Sequence, residues 1–212
     1  MTLDRQIALD LLEIKAVGFS LQKPITFKSG MLSPIYVDNR RFPFYPKAWL
    51  HVIEGFGELI EKNKLQPDVI AGIETAGIPH SAALGFHLQT PSVFVRKAVK
   101  DHGTKKRVEG GDVTKKNVLL IEDHVTTGES SLSGLQALRD EGAIVPNCLS
   151  ITSYAFPETR KRFEESKVNL FTLTTFPVIL DVAMEQGYFN SAQKTSIQAW
   201  FDNPWEWKIA QE

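Results

Sequence analysis

The sequence has little cysteine and no long apolar run. Its single cysteine, Cys148, excludes a disulfide within the chain and a metal site built only from cysteines, and it is typical of a reducing compartment. Charged residues interrupt the apolar positions of residues 1–15, so this segment lacks the apolar centre of a signal peptide. No segment approaches the length of a membrane span. We therefore expect a cytoplasmic protein without a membrane partner.

The sequence also lacks an excess of charge of either sign. Its 24 Lys and Arg residues balance 25 Asp and Glu residues, which gives a formal net charge of -1. A chain with this balance has no overall field that would draw it onto nucleic acid. We expect no nucleic-acid partner, and any anion must be bound by a local group of residues.

Repeats, low-complexity tracts and Pro/Ser-rich linkers are absent from the 212 residues. This length suits one domain with a full core, so we expect a single domain over residues 1–212. Apolar strand patterns alternate with amphipathic helix patterns along the chain. This alternation predicts an α/β fold with a mainly parallel central sheet flanked by helices.

The stretch 118–131 carries the strongest local signal. Residues 118–121 are consecutive aliphatics, a pattern typical of a strand buried on both faces of a parallel sheet. Glu122 and Asp123 follow at its carboxyl end. Residues 126–131, Thr-Thr-Gly-Glu-Ser-Ser, then supply hydroxyls and a flexible backbone before a helical pattern. The order of strand, polar loop and helix predicts a phosphate-binding loop.

A second segment has the same order of elements. Residues 69–73 predict an apolar strand, and residues 74–79 form a Gly-containing loop before a helix of small residues. The amides from Thr75 to Gly77 could hold an anion at the start of that helix. The signal is weak by itself because many αβ units have a glycine at this turn.

Residues 96–107 contain six Lys and Arg residues, one acid and no apolar periodicity. A charge run of this kind is usually a solvated surface. Here the run lies in sequence between the two predicted phosphate loops. That position favours a second interpretation, a mobile cationic lid over a polyphosphate.

The N-terminal region predicts an amphipathic helix followed by a small hairpin from residues 25–28 and 35–37. Lys28 alone is best interpreted as a surface lysine and Tyr36 alone as a core residue. In a hairpin, however, alternate side chains face opposite sides, so Lys28 could instead face a site.

Residues 119–131 resemble the phosphoribosyl-pyrophosphate signature of the type I phosphoribosyltransferases, with aliphatics, two acids, two further positions and Thr-Thr-Gly-x-Ser. His124 stands where that signature has an aliphatic residue or serine. Other segments resemble the orotate phosphoribosyltransferase family in order and spacing: residues 27–30, 33–40, 77–79, 96–103 and 109–110. The resemblance extends from about residue 3 to about residue 205.

The resemblance implies a reaction. The family transfers the phosphoribosyl group of 5-phosphoribosyl 1-pyrophosphate to orotate, which gives orotidine 5'-monophosphate and pyrophosphate in pyrimidine (UMP) biosynthesis, with Mg²⁺ as cofactor. The metal is expected to be held mainly by substrate and water near Glu122 and Asp123, and no protein group is assigned as a direct ligand. Adjacent strand residues face opposite sides of a sheet, so both carboxylates reach one ribose only if the strand turns there.

The resemblance also implies roles for individual residues. Catalytic roles are expected for Asp123, Lys100 and His102. Binding of 5-phosphoribosyl 1-pyrophosphate is expected from Arg96, Lys97, Lys100, His102, Glu122, Asp123, Thr126, Thr127, Gly128, Glu129, Ser130, Thr75 and Ala76. Orotate binding is expected from Thr126, Lys28 and Tyr36. Part of the family has a lysine where Ala76 stands, so the charge at that loop must come from elsewhere.

The family architecture implies three regions in the single domain. A hood built from the N-terminal hairpin and C-terminal helices covers about residues 1–45 and parts of 153–212. The core covers about residues 46–152, and the mobile lid covers about residues 98–112. In relatives the lid closes over the site of a neighbouring subunit, which implies a homodimer with shared lid residues.

Three functional hypotheses follow from the sequence. The first is an orotate phosphoribosyltransferase, the second is a phosphoribosyltransferase for another nucleobase, and the third is a non-catalytic regulator that senses 5-phosphoribosyl 1-pyrophosphate. For His124 we favour a structural role as a buried neutral histidine over a role at the site.

Overall fold

The computed structural model of the chain describes residues 1–26, 30–98 and 106–207. Its helices are α1 (Leu3–Glu13), α2 (Pro46–Lys62), α3 (Gly77–Leu88), α4 (Glu129–Asp140), α5 (Pro157–Glu165), α6 (Phe176–Glu185) and α7 (Ser191–Asp202). A 3-10 helix covers Asn39–Phe44. Its strands are β1 (Val17–Phe19), β2 (Ile25–Thr26), β3 (Leu32–Ser33), β4 (Ile35–Val37), β5 (Val69–Ile73), β6 (Ser92–Val95), β7 (Val108–Glu109), β8 (Asn117–Val125), β9 (Ile144–Ser153) and β10 (Asn169–Thr175).

Among the described residues, the central sheet has six strands in the order β10-β9-β8-β5-β6-β7. Neighbours are parallel except for β7, which pairs antiparallel with β6. The predicted mainly parallel sheet is confirmed. Because β5 and β8 pair directly, with Gly72 opposite Ile121, the loops that follow these two strands leave the sheet at the same edge.

Helices cover both faces of the sheet. Leu119 and Ile121 of β8 belong to an apolar cluster that includes residues of α1, α2 and α6. Leu120 points to the other face, into a cluster that includes Leu135 and Leu138 of α4. The double burial explains why the start of β8 is an unbroken aliphatic run. The strand itself extends to Val125 and so includes both acidic residues.

The N-terminal region contains two small antiparallel sheets in place of the single predicted hairpin. Strand β2 pairs with β3, whereas β4 pairs with β1. The Ser33 hydroxyl accepts a hydrogen bond from the Ile35 amide and donates one to the Ile35 carbonyl, which turns the chain between β3 and β4. Alternation in the predicted hairpin would turn Ile25 towards the core. Ile25 is instead 38% exposed, so that expectation was wrong.

The predicted lid is described only at its two ends. Residues 99–105 lie outside the described residues, and these include Lys100 and His102. Lys28 also lies outside them. The C-terminal end of the predicted lid is ordered structure, because Val108 and Glu109 form β7 and pair with Val95 and Phe94. The sequence did not predict strand β7, because an element of two residues is too short to show the alternation of apolar and polar residues that marks a strand.

The C-terminal helices pack against the N-terminal region. Trp200 of α7 is 0% exposed, and its indole Nε1 donates a hydrogen bond of 2.7 Å to the Leu32 carbonyl. Its ring also makes edge contacts with Tyr154 and Phe176. Trp200 therefore has a packing role that joins α7 to the N-terminal region. In contrast, Trp205 is 64% exposed.

Within residues 1–26, 30–98 and 106–207, no helix is long and apolar enough to span a membrane.

Replacing Trp200 with alanine should destabilise the protein by about 3–5 kcal/mol, because it removes a large buried ring and leaves the Leu32 carbonyl without its donor. The Trp205→Ala variant is the matched control and should change stability by less than about 0.5 kcal/mol. Urea unfolding followed by circular dichroism measures both. Equal losses in the two variants would contradict this account of the hood.

Candidate active site

The two predicted phosphate loops lie next to each other at the carboxyl edge of the sheet. The start of α3 packs so closely on the sheet that a Cβ added to Gly77 would lie 2.6 Å from the Ile121 carbonyl oxygen. A Cβ on Gly72 would lie 2.2 Å from the Ser81 hydroxyl and 2.6 Å from the Gly77 carbonyl oxygen. Only glycine fits at these two positions. Their absence of side chains lets the loop after β5 approach the strand that carries the acidic pair.

The loop after β5 contains Thr75, which is exposed, and Ala76, which precedes α3. The peptide bond between Glu74 and Thr75 is cis. The Glu74 carboxylate accepts a 2.8 Å hydrogen bond from the Lys97 amide. This bond ties the loop to the described N-terminal end of the predicted lid.

Arg96 follows β6 and forms an ion pair of 3.5 Å with Glu109. The Arg107 guanidinium donates to the Arg96 carbonyl at 2.8 Å. The structure therefore places Arg96 against β7. No ion pair of Lys97 lies within the described part of the chain, and the Lys97 side chain is exposed.

The acidic pair divides between two environments because β8 is still extended there. Glu122 is 4% exposed and accepts a bond of 3.4 Å from Ser131 of α4. Burial, together with the charge of Asp123, raises the pKa of Glu122 well above its usual range. Burial therefore favours the protonated form of Glu122. Burial also raises the pKa of Asp123, and the hydrogen bond from Glu122 opposes this shift.

Asp123 is the member of the pair that is partly accessible. The charge of Arg40 opposes the rise in the pKa of Asp123 that burial causes. Direct binding by Glu122 stays a prediction, but a buried carboxyl packed behind Asp123 is suited to orienting that residue. Of the two adjacent acids, Asp123 is the more accessible.

Residues 126–130 connect β8 to α4. Gly128 has φ +77°, and a Cβ there would lie 2.9 Å from the Phe163 ring. Glycine is required for both reasons. Thr126 and Thr127 are partly accessible, and Ser130 is exposed in the first turn of α4. Glu129 is exposed, as expected for a charge that points to solvent.

Tyr36 lies at the hood side of the site and is 36% exposed. Its hydroxyl accepts a 2.5 Å hydrogen bond from Arg40, whose Nε also donates to Asp38 at 2.5 Å. Arg40 therefore links Tyr36 to the neighbourhood of Asp123. No role was predicted for Arg40 from the sequence, although it lies in the segment 33–40, which resembles the orotate phosphoribosyltransferase family.

Asn39 is a second residue to which the sequence analysis gave no role. It is 0% exposed, and its Nδ2 donates to the Asp123 carbonyl and to the Thr152 hydroxyl, both at 2.7 Å. These bonds fix the backbone immediately after the acidic pair. No sequence signal predicts this contact, because Asn39 is separated from Asp123 by 84 positions.

His124 lies in the structural environment that we favoured, although its partner is a hydroxyl. Its Nδ1 lies 2.7 Å from the Thr152 Oγ1, and its ring meets Tyr154 edge-on at 4.8 Å between centroids. Burial lowers the pKa of His124 to about 4, so the ring is neutral near pH 7. These contacts connect β8 to β9 beneath the site.

Among the described residues, the site offers few protein ligands for Mg²⁺. This ion prefers oxygen ligands and usually keeps several bound waters. Asp123 offers one partly accessible carboxylate, whereas Glu122 is buried. In the described ranges, no group of three or more His, Cys, Asp or Glu side chains could hold a metal ion. The residues present fit an ion that one carboxylate contacts directly or through water, with its other ligands from a bound anion.

Three comparisons with known proteins agree on one family. The family model described as "Phosphoribosyl transferase domain" matches residues 46–185. The orotate phosphoribosyltransferase of Coxiella burnetii is 39% identical over 203 residues, which are 96% of this chain and 97% of that protein. The orotate phosphoribosyltransferase of Listeria innocua is 38% identical over 207 residues, or 98% of this chain and 99% of that protein.

Solved structures share the fold. The orotate phosphoribosyltransferase of Aeropyrum pernix aligns with a TM-score of 0.74 at 24% identity, over 87% of this chain and 99% of that chain. The UMP synthase of Leishmania donovani aligns with a TM-score of 0.82 at 23% identity, over 94% of this chain and 42% of that longer chain.

The proton on Glu122 predicts a pH effect on stability. Above about pH 4.3 an unfolded glutamate has lost its proton, whereas the folded state retains it, so stability falls as pH rises towards the raised pKa. In Glu122→Gln this contribution is absent. From about pH 4.3 up to the raised pKa of Glu122, the wild-type protein should lose stability relative to Glu122→Gln by up to about 1.4 kcal/mol per pH unit.

Urea unfolding of both proteins across this pH range measures the difference. The exposed Glu58 provides a control, because Glu58→Gln should follow the wild-type pH curve. Parallel curves for the wild type and Glu122→Gln would show that Glu122 is ionised in the folded protein.

Proposed function

The chain belongs to the orotate phosphoribosyltransferase family, and we propose that its site binds 5-phosphoribosyl 1-pyrophosphate across the two loops and orotate under the hood. It is a pentosyltransferase that forms orotidine 5'-monophosphate in pyrimidine biosynthesis. The observation that carries the site assignment is the position of Asp123, which lies between the loop 74–77, the loop 126–130 and the side of the hood that carries Tyr36.

The chemistry explains why a carboxylate belongs at this place. As the bond from the ribose to pyrophosphate breaks, the sugar gains positive charge and the leaving group gains negative charge. The Asp123 carboxylate accepts hydrogen bonds from ribose hydroxyls and holds the sugar in one orientation. Asn39 fixes the Asp123 backbone, so the carboxylate keeps its position during the reaction.

The 5'-phosphate is assigned to residues 126–130. This loop ends at the N-terminus of α4, where free amides and the helix dipole favour an anion. Thr126, Thr127 and Ser130 add hydroxyl donors. Thr126 is also close enough to the base to contact orotate. Glu129 faces solvent and contributes little to the binding of phosphate.

The pyrophosphate is assigned to the loop of Thr75 and Ala76, at the start of α3. Ala76 supplies no charge, so cations must come from the segment that follows β6. The bond from the Lys97 amide to Glu74 holds this residue next to the loop and supports that role for its side chain. Lys100 and His102 complete the proposal as catalytic residues of the lid: the lysine neutralises the leaving group, and the histidine donates a hydrogen bond or a proton to its oxygens. Arg96 can join them if it leaves Glu109.

Orotate is assigned to the hood, with Tyr36 beside the ring and Lys28 near its carboxylate. Arg40 adds a second cation next to Tyr36. Mg²⁺, held through water or directly by Asp123 and otherwise by substrate oxygens, would supply positive charge against the pyrophosphate.

The three regions are proposed to work as one domain in the cytoplasm. The hood covers about residues 1–45 and parts of 153–212, the core about residues 46–152, and the lid about residues 98–112. The single buried cysteine, Cys148, fits this compartment.

We propose a homodimer because α2 and α3 present an apolar surface. Phe86 of α3 is 89% exposed and Leu50 of α2 is 49% exposed. A groove of about 840 Å³ between α2 and α3 is lined by Leu50, Phe86 and Trp49. Large exposed apolar groups that lie together mark association surfaces. In such a dimer the lid of one subunit would reach the site of its partner.

The activity is tested by orotate-dependent release of pyrophosphate from 5-phosphoribosyl 1-pyrophosphate. Release should stop when Mg²⁺ is chelated, and Lys100→Ala should lower kcat by about 100-fold because a cation that stabilises the leaving group is lost. Lys116→Ala, at the opposite end of β8, is the matched control and should keep full activity. Turnover of hypoxanthine or adenine in place of orotate would contradict the proposal.

The dimer is tested at Phe86. A charge buried in an apolar contact is costly, so Phe86→Glu should convert the dimer to a monomer in sedimentation experiments and remove activity that depends on a shared lid. Tyr188→Glu, an exposed aromatic on the connection from α6 to α7, should remain dimeric. A wild-type monomer with full activity would refute the assignment.

A further inference from the structure

Helix α5 packs directly beneath the loop that the proposed function assigns to the 5'-phosphate. Thr159 is 2% exposed, and its hydroxyl donates a 2.7 Å hydrogen bond to the Thr126 carbonyl. Arg162, one turn further along α5, donates from Nη1 to the Thr127 carbonyl at 3.2 Å. Phe163 contacts the next residue, because a Cβ on Gly128 would lie 2.9 Å from its ring. Three consecutive loop residues thus rest on one helix.

The hydrogen bonds from Thr159 and Arg162 are both accepted by carbonyl groups of the loop. The direction of these carbonyls determines the direction of the loop amides. The peptide bonds from Thr126 to Gly128 are trans. In a planar trans peptide the carbonyl oxygen and the following N–H point in opposite directions. A Thr126 carbonyl directed at α5 therefore directs the Thr127 amide away from α5, and the Thr127 carbonyl does the same for the Gly128 amide.

These two amides are available to a ligand. In the described part of the chain, neither the Thr127 nor the Gly128 amide donates a hydrogen bond to another protein group. A buried or half-buried amide is normally paired. Two adjacent amides that point the same way, at the start of α4, provide the donors that a phosphate needs.

The Thr159 hydroxyl is not used by its own helix. Thr159 lies in the first turn of α5, and Phe156 at the N-cap makes no side-chain capping bond. A threonine near a helix start commonly caps that helix. Here its hydroxyl instead reaches from the helix to residue 126, which is 33 positions away.

We propose that Thr159 and Arg162 are positioning residues that aim the Thr127 and Gly128 amides at the 5'-phosphate of 5-phosphoribosyl 1-pyrophosphate. This inference rests on the proposed function. Thr159 carries the larger share because it is buried, whereas the Arg162 bond is exposed to water and correspondingly weak. Neither residue touches the substrate.

The test compares Thr159→Val, which keeps the side-chain shape without the hydroxyl, with Thr159→Ser, which restores the hydroxyl. Loss of one buried hydrogen bond corresponds to about three- to tenfold in a binding constant. Thr159→Val should raise the KM for 5-phosphoribosyl 1-pyrophosphate by that factor, with the KM for orotate unchanged. Thr159→Ser should return the value to within about twofold of wild type.

Calorimetry with two fragments of the substrate locates the effect. Ribose 5-phosphate should bind Thr159→Val about three- to tenfold more weakly than wild type, and inorganic pyrophosphate should bind both proteins equally. A general loss of packing would weaken both fragments. Equal affinity of wild type and Thr159→Val for ribose 5-phosphate would overturn the proposal.

A second pair of variants tests the Arg162 bond and keeps the proposal falsifiable if Thr159→Val fails to fold. Arg162→Met should weaken binding of ribose 5-phosphate by about two- to threefold, whereas Lys161→Met, at an exposed neighbour on the same helix, should bind it normally. Equal binding by these two variants would refute the role of Arg162. Failure of the wild-type protein to use orotate would refute the proposed function instead, and the ribose 5-phosphate measurements would still decide the role of α5.

Discussion

The close packing of α3 against strands β5 and β8 determines where each part of the candidate site lies. Gly72 and Gly77 have no room for a side chain, so the loop after β5 can lie beside the strand that carries the acidic pair. Parallel pairing then brings a second loop, residues 126–130, to the same edge of the sheet. A β-carbon at either glycine would separate the two loops. The distance between the two loops is therefore set by backbone contact.

Polar groups behind this edge hold the loops in one orientation. Asn39 binds the backbone after Asp123, and His124 is connected to β9 through Thr152. These bonds lie in a low-dielectric environment, where a satisfied hydrogen bond rigidifies its surroundings. Burial also separates the two acids: it raises the pKa of Glu122 well above its usual range, while Asp123 stays partly accessible. A raised pKa at Glu122 reduces the repulsion between the two adjacent carboxyl groups.

Much of the fold could be predicted because the relevant signals are local. The amphipathic pattern of α1, the apolar run of β8 and the glycine-containing loops depend on residues within a few positions of one another, and each element formed where its pattern indicated. The N-terminal pairing was only partly predicted, since the sequence showed extended segments without showing which of them pair. The pairing of β4 with β1 depends on a turn at Ser33 and on packing below the hood, and neither is visible in a period of two.

The sequence by itself determined the order of strand, acidic pair and Thr-Thr-Gly loop, because chain connectivity alone places these groups at the end of one strand. Only the tertiary structure decided which acid is accessible, since burial depends on α4 packing against one face of β8. Only the tertiary structure brought Arg40 to Tyr36 and Asp123, and Thr159 and Arg162 to the loop carbonyls. Except for the pair of Arg40 and Tyr36, which are four positions apart, these contacts join residues that are far apart in the chain and follow no local pattern. Their energies depend on burial and direction, which exist only after the helices have packed on the sheet.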